Sequence, residues 1–238
     1  MFERTPGPWP GPDRRRQSRP GLTHAAVVAA GRAVIERGGL DALTMRAVAA
    51  ELSTAPASLY RHVADRDALL LAMLEQIASG LPVEVPGTTP HDRLLRRLLD
   101  AHGHLSDHVW VLHLLIGGEA AAENAMAFTD ACLADFLAAG LTPRAAMAAY
   151  RSGWQLVLGE LLEQHPIRPA PEPDRRQRAP AAVDPQRLPA LDRCSREAPD
   201  AAGREREFAR SLDALLVALL AGAGAPVDRS GGPQPPAC

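Results

Sequence analysis

The sequence predicts an all-α protein with a small N-terminal head, a linking helix and a larger helical body. Apolar residues make up 46% of the chain but aromatic residues only 4%, so the core is built mainly from Ala, Leu and Val. Ala and Leu are strong helix formers, and β-branched residues, which favour strands, are sparse. Apolar runs at helical spacing follow Thr, Asp or Pro residues of the kind that begin helices.

Four helices are predicted in the first part of the chain, after a Pro-, Gly- and Arg-rich segment, 1–21, that we expect to be a disordered basic arm. Capping residues and helix-ending glycines set their bounds. The predicted helices run from Thr23 to Arg37, from Thr44 to Leu52, from Pro56 to Val63 and from Asp65 to Ser79.

The rest of the chain is also predicted to be helical. A Thr-Pro-x-Asp sequence in "TTPHDRLL" is a capping box with proline in the first turn. The helices after it are expected at Val109–Gly117, Glu119–Ala139, Pro143–Gln164 and Arg204–Ala221. The Pro- and Arg-rich residues 165–203 are expected to be a mobile loop and 223–238 a disordered tail. The predicted domains are therefore a head, 22–69, and a body, 70–222.

The second and third helices, with the three-residue turn "STA" between them, fit a helix-turn-helix. Five apolar side chains of this segment are expected to face inward: Ala47, Val48, Leu52, Leu59 and Val63. The polar residues left outside are Thr44, Arg46, Ser58, Tyr60, Arg61 and His62. In such a unit the second helix enters the major groove, arginine pairs with guanine, and hydroxyl groups and histidine meet phosphates. The expected partner is double-stranded DNA.

Charge is distributed as a DNA partner requires. The formal net charge is only −2, but residues 14–63 hold eight arginines against three acids, an excess of five positive charges. A basic N-terminal part on a mildly acidic body indicates a polyanion partner. Four of these arginines, Arg14, Arg15, Arg16 and Arg19, belong either to a solvated tail or to an arm that reaches the minor groove or the DNA backbone.

The stretch "LTMRAVAAELSTAPASLYRHVADRDALLLAML" resembles the DNA-binding domain of TetR-family transcriptional regulators. The resemblance covers residues 23–75. The segments "AAYRSGWQLVLGELLE" and "FARSLDALLVALL" resemble the C-terminal domain of the tetracycline-repressor branch. The resemblance implies backbone contacts for Thr44, Tyr60 and His62. It also implies base-reading or near-base positions for Arg46, Ala57, Ser58 and Arg61, phosphate binding by Arg66, and a helix start at Pro56.

Two residues depart from the family pattern. Ser53 stands in the turn where glycine is usual, and Ala55 stands where a polar cap is usual. Serine adopts the turn conformation at modest cost, and Pro56 compensates for the missing cap.

A single head of this size binds DNA weakly, so the body is expected to form a homodimer that presents two heads to two half-sites. Small and apolar residues on the helices at about 143–164 and 204–221 fit a four-helix interface, and the resemblance implies the same pair. The alternative is that these faces pack only within the subunit. The chain is then expected to be a ligand-responsive repressor released from a palindromic operator by a small-molecule inducer.

The remaining helices of the body are expected to enclose the effector site. Candidate lining residues are polar or aromatic groups in apolar runs: His102, His104, Trp110, His113, Met126, Phe128, Trp154 and Gln155. The ordinary alternatives are core packing for the tryptophans, and surface or hydrogen-bonded positions for the histidines.

Two other function classes stay open on the sequence alone. His104, Asp107, His108 and His113 could hold a metal in a helical enzyme or a ligand-binding protein, but the chain has no HExxH, nucleophile-elbow or phosphate-loop sequence. We therefore predict no catalytic residues, no metal and no cofactor. A purely structural helical protein would not explain the basic head. An N-terminus without an apolar signal region, and no apolar run long enough to span a bilayer, lead us to expect a cytoplasmic, nucleoid-associated protein without a membrane partner.

Overall fold

The computed structural model describes residues 22–117, 122–165, 184–197 and 200–222, apart from the side chains of residues 113, 116, 117 and 201. Within these ranges the chain forms helices and no strands, which confirms the predicted all-α class. The head contains α1 (His24–Gly38), α2 (Met45–Glu51) and α3 (Pro56–Leu59), and α4 (Arg66–Ala78) links it to the body. The body contains α5 (Pro90–Ser106), α6 (Trp110–Gly117), α7 (Asn124–Ala138), α8 (Pro143–Gln164), α9 (Pro189–Arg196) and α10 (Ala201–Ala221).

Side-chain caps begin most of the long helices, as the sequence predicts. A Thr or Asp oxygen accepts a backbone N–H of the first turn at α1, α2, α4, α5, α8 and α10. The residues that provide these caps are Thr23, Thr44, Asp65, Thr89, Thr142 and Asp200. At α5 the capping box is complete, because the Asp92 carboxylate also accepts the Thr89 N–H at 3.1 Å. Such caps stabilise a helix by ~1 kcal/mol each.

The core of the head forms where α1 packs against α4 and α2. Val27, Val48, Leu59 and Leu69 are fully buried there. The N-terminal half of α4 therefore belongs to the same core as the helix-turn-helix. A 3₁₀ turn, Leu40–Ala42, joins α1 to α2.

The body is a bundle in which α5, α7, α8 and α10 pack on one another. Leucine and phenylalanine side chains fill its interior: Leu94, Leu98, Phe128, Phe136, Leu161, Leu212 and Leu216. Burying side chains of this size stabilises the fold by ~1.5–3 kcal/mol each.

A buried ionic cluster ties α5 to α7. Both oxygens of Asp135 on α7 accept from arginines of α5: Oδ1 from Arg93 Nε at 2.7 Å, and Oδ2 from Arg97 at 2.5 Å. A second Arg97 nitrogen donates to the Val83 carbonyl at 3.1 Å. The cluster thus fixes the segment before α5 as well as the two helices.

The structure differs from the sequence expectation at two places in the C-terminal third. Residues 165–203 are predicted to be a loop, yet α9 lies inside this segment and α10 begins at Ala201, before Arg204. Pro189 stands in the first turn of α9, and Asp192 pairs with Arg196 one turn later at 2.8 Å. The Asp200 cap starts α10 early. The prediction from the high proline and arginine content therefore underestimated the helix content of residues 165–203, because proline also favours the start of a helix.

In the part of the chain that the structure describes, no helix is both long enough and apolar enough to cross a membrane. The predicted arm, 1–21, and tail, 223–238, lie outside that part, so both predictions stay untested.

Candidate nucleic-acid interface

The turn of the helix-turn-helix takes the conformation that usually calls for glycine. Ser53 has a φ of 49°, in the left-handed region that side chains with a Cβ rarely adopt. Backbone bonds hold it there: the Ser53 N–H donates to the Ala50 carbonyl at 3.0 Å, and the Thr54 N–H to the Ala49 carbonyl at 2.9 Å. The turn therefore keeps its geometry despite the departure from the family pattern.

The second helix of the unit is short and is anchored by its apolar side. Regular α3 ends at Leu59, earlier than the predicted Val63, and turns continue it: the His62 and Val63 N–H groups donate to the Leu59 carbonyl at 2.8 and 3.0 Å. Leu59 and Val63 are buried in the head core. This anchoring fixes which side chains point away from the protein.

The outward side of this segment carries most of the predicted DNA-contacting residues. Pro56, Ala57, Tyr60 and Arg61 are exposed, and 54% of the Tyr60 surface is accessible to solvent. More than half of this residue is accessible, so Tyr60 is available to a partner. Ser58 and His62 are half-buried at the edge of this surface.

Thr44 and Arg46 lie at the start of the first helix of the unit, and both are exposed. The Thr44 hydroxyl oxygen accepts the Ala47 N–H at 3.1 Å as the α2 cap. The hydroxyl hydrogen can still donate outward, because a threonine hydroxyl both accepts and donates. Thr44 can therefore cap α2 and contact a phosphate at the same time.

Arg66 has an internal role that the sequence did not indicate. Its Nε donates to the Leu43 carbonyl at 2.9 Å and a terminal nitrogen to the Leu40 carbonyl at 3.4 Å, while the other terminal nitrogen lies 3.5 Å from Asp67. These bonds fasten the start of α4 to the segment that leads into α2.

Part of the predicted positive charge is neutralised inside the head. Arg37 pairs with Glu51 across α1 and α2, and Arg32 lies 3.5 Å from Glu36 on α1. The four arginines of the arm lie outside the described residues. Within the described head, exposed positive charge on the helix-turn-helix comes from Arg46 and Arg61.

Two of the predicted effector-binding residues meet in an aromatic cluster between α7 and α8. The Phe128 and Trp154 rings lie 5.4 Å apart, and Tyr150 stacks on Trp154 at 6.4 Å. The Tyr150 hydroxyl is 2.9 Å from the Thr129 hydroxyl, and burial raises the Tyr150 pKa, which keeps the phenol neutral. Tyr150 and Thr129 are not among the predicted residues, although Tyr150 and Trp154 stand four apart on one helix face.

The predicted histidines and Trp110 are dispersed around the body. His102 packs on Phe208 of α10 with ring centroids 4.5 Å apart, and burial lowers its pKa. His104 bonds to the Ile77 carbonyl of α4 at 2.8 Å. Trp110 is buried, and among the described residues its indole N–H has no hydrogen-bond partner. The His113 side chain lies outside the described residues.

Met126 and Gln155 lie on the surface, with 61% of Met126 accessible to solvent. The structure thus does not bring the predicted effector residues together in one group. Among the described residues no group of three His, Cys, Asp or Glu side chains is placed to hold a metal ion. The metal-binding alternative finds no support in this part of the chain.

Two family models match the chain. The model described as bacterial regulatory proteins of the tetR family covers residues 27–73, and the model of the tetracyclin repressor-like C-terminal domain covers 88–222. An HTH-type transcriptional regulator of Saccharopolyspora erythraea is 29% identical over 155 residues, 64% of this chain and 65% of its own length. The HTH-type transcriptional repressor DrrR1 of Streptomyces coeruleorubidus is 46% identical over 66 residues, 26% of this chain and 24% of its own. The chain spans less than two thirds of these curated relatives.

Solved structures with the same architecture include apo ActR from Streptomyces coelicolor, with a TM-score of 0.67, 25% identity, and coverage of 87% of this chain and 99% of ActR. The structure of ActR in complex with actinorhodin has a TM-score of 0.66 and 24% sequence identity, and the match covers 86% of this chain and 99% of that one. The structure of a TetR variant from Acinetobacter baumannii in complex with minocycline has a TM-score of 0.60 and 22% sequence identity. The match covers 89% of this chain and 100% of that one. The last two show likeness of fold alone.

Proposed function

The chain belongs to the TetR family of bacterial transcriptional regulators, and from that premise we propose that it is a ligand-responsive repressor that binds a palindromic operator as a homodimer. The observation that carries the proposal is the surface of α3 and the turns after it. Leu59 and Val63 are buried on one side, and Tyr60 and Arg61 are exposed on the other. Family membership also confirms the prediction that the chain is not an enzyme.

Nine residues are proposed to contact or position DNA. Arg61 and Arg46 are the charged groups suited to base edges or phosphates, and the Tyr60, Thr44 and Ser58 hydroxyls are suited to phosphate oxygens. Arg66, whose guanidinium is already bonded to the Leu43 carbonyl, would act mainly by holding α4 in place, with a phosphate contact as its second role. The full set is Thr44, Arg46, Pro56, Ala57, Ser58, Tyr60, Arg61, His62 and Arg66.

The proposed dimer forms through α8 and α10. Each carries an exposed apolar residue, Met147 on α8 and Val217 on α10, and 54% of Val217 is accessible in the single chain. Exposed apolar residues on adjacent packed helices favour association with a second copy about a two-fold axis. Two heads related by that axis would read the two halves of an inverted repeat.

The proposed effector is a small molecule that binds in the body and lowers affinity for DNA. The aromatic cluster of Phe128, Trp154 and Tyr150 is the best-supported part of its site, because aromatic faces bind apolar or planar ligands. Solved structures of the same fold are complexes with small molecules, namely ActR with actinorhodin and the Acinetobacter TetR variant with minocycline. The other residues predicted for the site stay a prediction, because the structure does not group them with the aromatic cluster: His102, His104, Trp110, His113, Met126 and Gln155. The protein would act on the nucleoid in the cytoplasm.

The experiment that tests this function is selection of genomic fragments by the purified protein at a fixed salt concentration. Recovery of a short inverted repeat supports a dimeric reader of DNA, and the Tyr60→Phe and Arg61→Ala variants should then bind that repeat less tightly. Recovery of random sequence, with binding that only fades as salt rises, would overturn the proposal of a specific operator.

A further inference from the structure

The N-terminus of α7 is capped by a residue of the linking helix. The Glu123 side chain, at the N-cap position of α7, makes no capping bond, whereas six other described helices take a cap from the residue that precedes them. Instead the two carboxylate oxygens of Glu75 on α4 accept the Glu123 N–H at 2.5 Å and the Asn124 N–H at 2.9 Å. The donors lie 48 and 49 residues along the chain from this acceptor.

A third hydrogen bond joins the same two helices, with a side chain of α7 as donor and the backbone of α4 as acceptor. The Asn124 side-chain amide donates to the Glu75 backbone carbonyl at 3.1 Å. A carboxylate at a helix N-terminus combines charge-assisted hydrogen bonds with a favourable interaction with the helix dipole. Three bonds therefore join one residue of α4 to the first turn of α7, and we call this group the Glu75 clasp.

A second attachment holds the end of α4 to α5. His104 of α5 bonds to the Ile77 carbonyl at 2.8 Å, and its ring lies where a Cβ on Gly80 would stand. Gly80 therefore permits this close approach. The end of α4 is fixed to two helices of the body, while Leu69 near its start is buried in the head core. Since α4 has 13 residues, a single continuous helix ~20 Å long joins the head core to these body contacts.

We propose that Glu75 is the positioning residue that couples the body to the DNA-binding head. The inference rests on the proposed function and names how its regulation is transmitted. Phe128, one turn beyond the Glu75 clasp on α7, belongs to the aromatic cluster proposed for the effector. An effector that shifts the first turns of α7 pulls on Glu75, and α4 carries that displacement into the core that anchors α3.

Coupling of this kind is reciprocal, so it can be tested from the DNA side without the effector. The probe is the duplex recovered by genomic selection, and the readout is amide hydrogen exchange measured by mass spectrometry. Full-length protein is compared with Glu75→Ala and with Glu75→Gln, which keeps the shape but loses the charge. Gln76→Ala is the matched control, since Gln76 is the next residue and is exposed on the same helix.

In the unsubstituted protein the duplex should slow exchange in residues 122–126 by about fivefold or more. In Glu75→Ala this response should fall below about twofold, with Glu75→Gln between them, while the protection of residues 44–63 by DNA is retained. Gln76→Ala should respond like the unsubstituted protein. A merely stabilising cap would change exchange in the free protein and leave the response to DNA intact.

Two results would overturn the inference. One is an equal response of residues 122–126 to DNA with and without the Glu75 carboxylate. The other is protection of residues 44–63 in the unsubstituted protein with no response at all in α7. Absence of protection at 44–63 is a different result, which would overturn the proposed function itself and this inference with it.

Discussion

Substitution of Asp135 by Asn should destabilise the body more than any surface change on the same helix. Asp135 is 5% exposed, and it neutralises Arg97, which is 4% exposed, through a bond of 2.5 Å. Arg93 adds two more bonds, from Nε at 2.7 Å and from a terminal nitrogen at 2.6 Å. Asparagine has nearly the same shape, so the change removes the negative charge and one acceptor without leaving a cavity.

The expected cost follows from the burial of the arginine that is left behind. Removing one partner of a buried ion pair costs ~3–5 kcal/mol, because the other charge stays in a poorly solvated place. The Val83 carbonyl remains as an Arg97 partner, so we expect a value near the lower end of that range. For a chain of this size that corresponds to a fall in melting temperature of about 6–12 °C.

The assay is urea denaturation followed by circular dichroism, with alkylation of Cys132 as a local probe. Cys132 lies one turn before Asp135 and is fully buried, and burial, aided by the Asp135 charge, raises its pKa to about 12. Its thiol should react in the Asp135→Asn variant at urea concentrations where the unsubstituted protein is protected. Asp130→Asn, an exposed position on α7, is the control and should change stability by less than ~0.5 kcal/mol. A loss below ~1 kcal/mol in Asp135→Asn would refute the argument that this cluster is held by charge.

Two further predictions concern titration and Arg66. Burial lowers the pKa of both His102 and His108, so the unfolded chain binds protons more readily than the folded one. The free energy of unfolding should therefore fall as the pH drops below ~6.5. Urea denaturation between about pH 5 and pH 8 measures this dependence, which the His108→Gln substitution should flatten. A flat profile in the unsubstituted protein would contradict this. Arg66→Ala should destabilise the head by ~1–3 kcal/mol, because the Leu43 carbonyl loses the Arg66 donor and the Leu40 carbonyl keeps only the Leu43 N–H. Unchanged thermal stability combined with weaker DNA binding would instead assign Arg66 to a phosphate alone.

Local sequence signals predicted the elements of the fold well. Thr142 followed by Pro143 sets the start of α8, whose observed bounds, Pro143–Gln164, are those predicted. The capping box at Thr89 forms as expected. Ser53 occupies the left-handed turn position that the family pattern assigns to glycine. These features depend on residues close together in the chain, so a sequence records them directly.

Contacts between distant residues could not be predicted in the same way. The Asp135 carboxylate lies 38 residues from Arg97, and Glu75 lies 48 from the α7 amide that it caps. In the sequence, Asp135, Arg97 and Glu75 look like ordinary solvated residues. Their partners become visible only when the helices are packed together. The resemblance implies a phosphate contact for Arg66, whereas its bonds to the Leu43 and Leu40 carbonyls, 23 and 26 residues earlier, could not be predicted from the sequence.

The proposed effector site is the part of the molecule that the sequence indicates least clearly. Phe128 and Trp154 meet, but Met126 and Gln155 lie on the surface and His104 is engaged with α4. Polar and aromatic residues in apolar helices serve packing, capping and binding alike, and residue type alone does not separate these roles.

The central claim, that the α3 surface reads DNA, is tested most directly by the salt dependence of binding to the selected duplex. We predict that Arg61→Ala weakens binding by ~1–3 kcal/mol and either relaxes preference at one base pair or lowers the salt slope by about one. Arg96 is an exposed arginine on α5 of the body, and the Arg96→Ala variant should bind the duplex as the unsubstituted protein does. Equal affinity and equal salt slope for Arg61→Ala and Arg96→Ala would contradict the account, because the DNA would then lie on another surface.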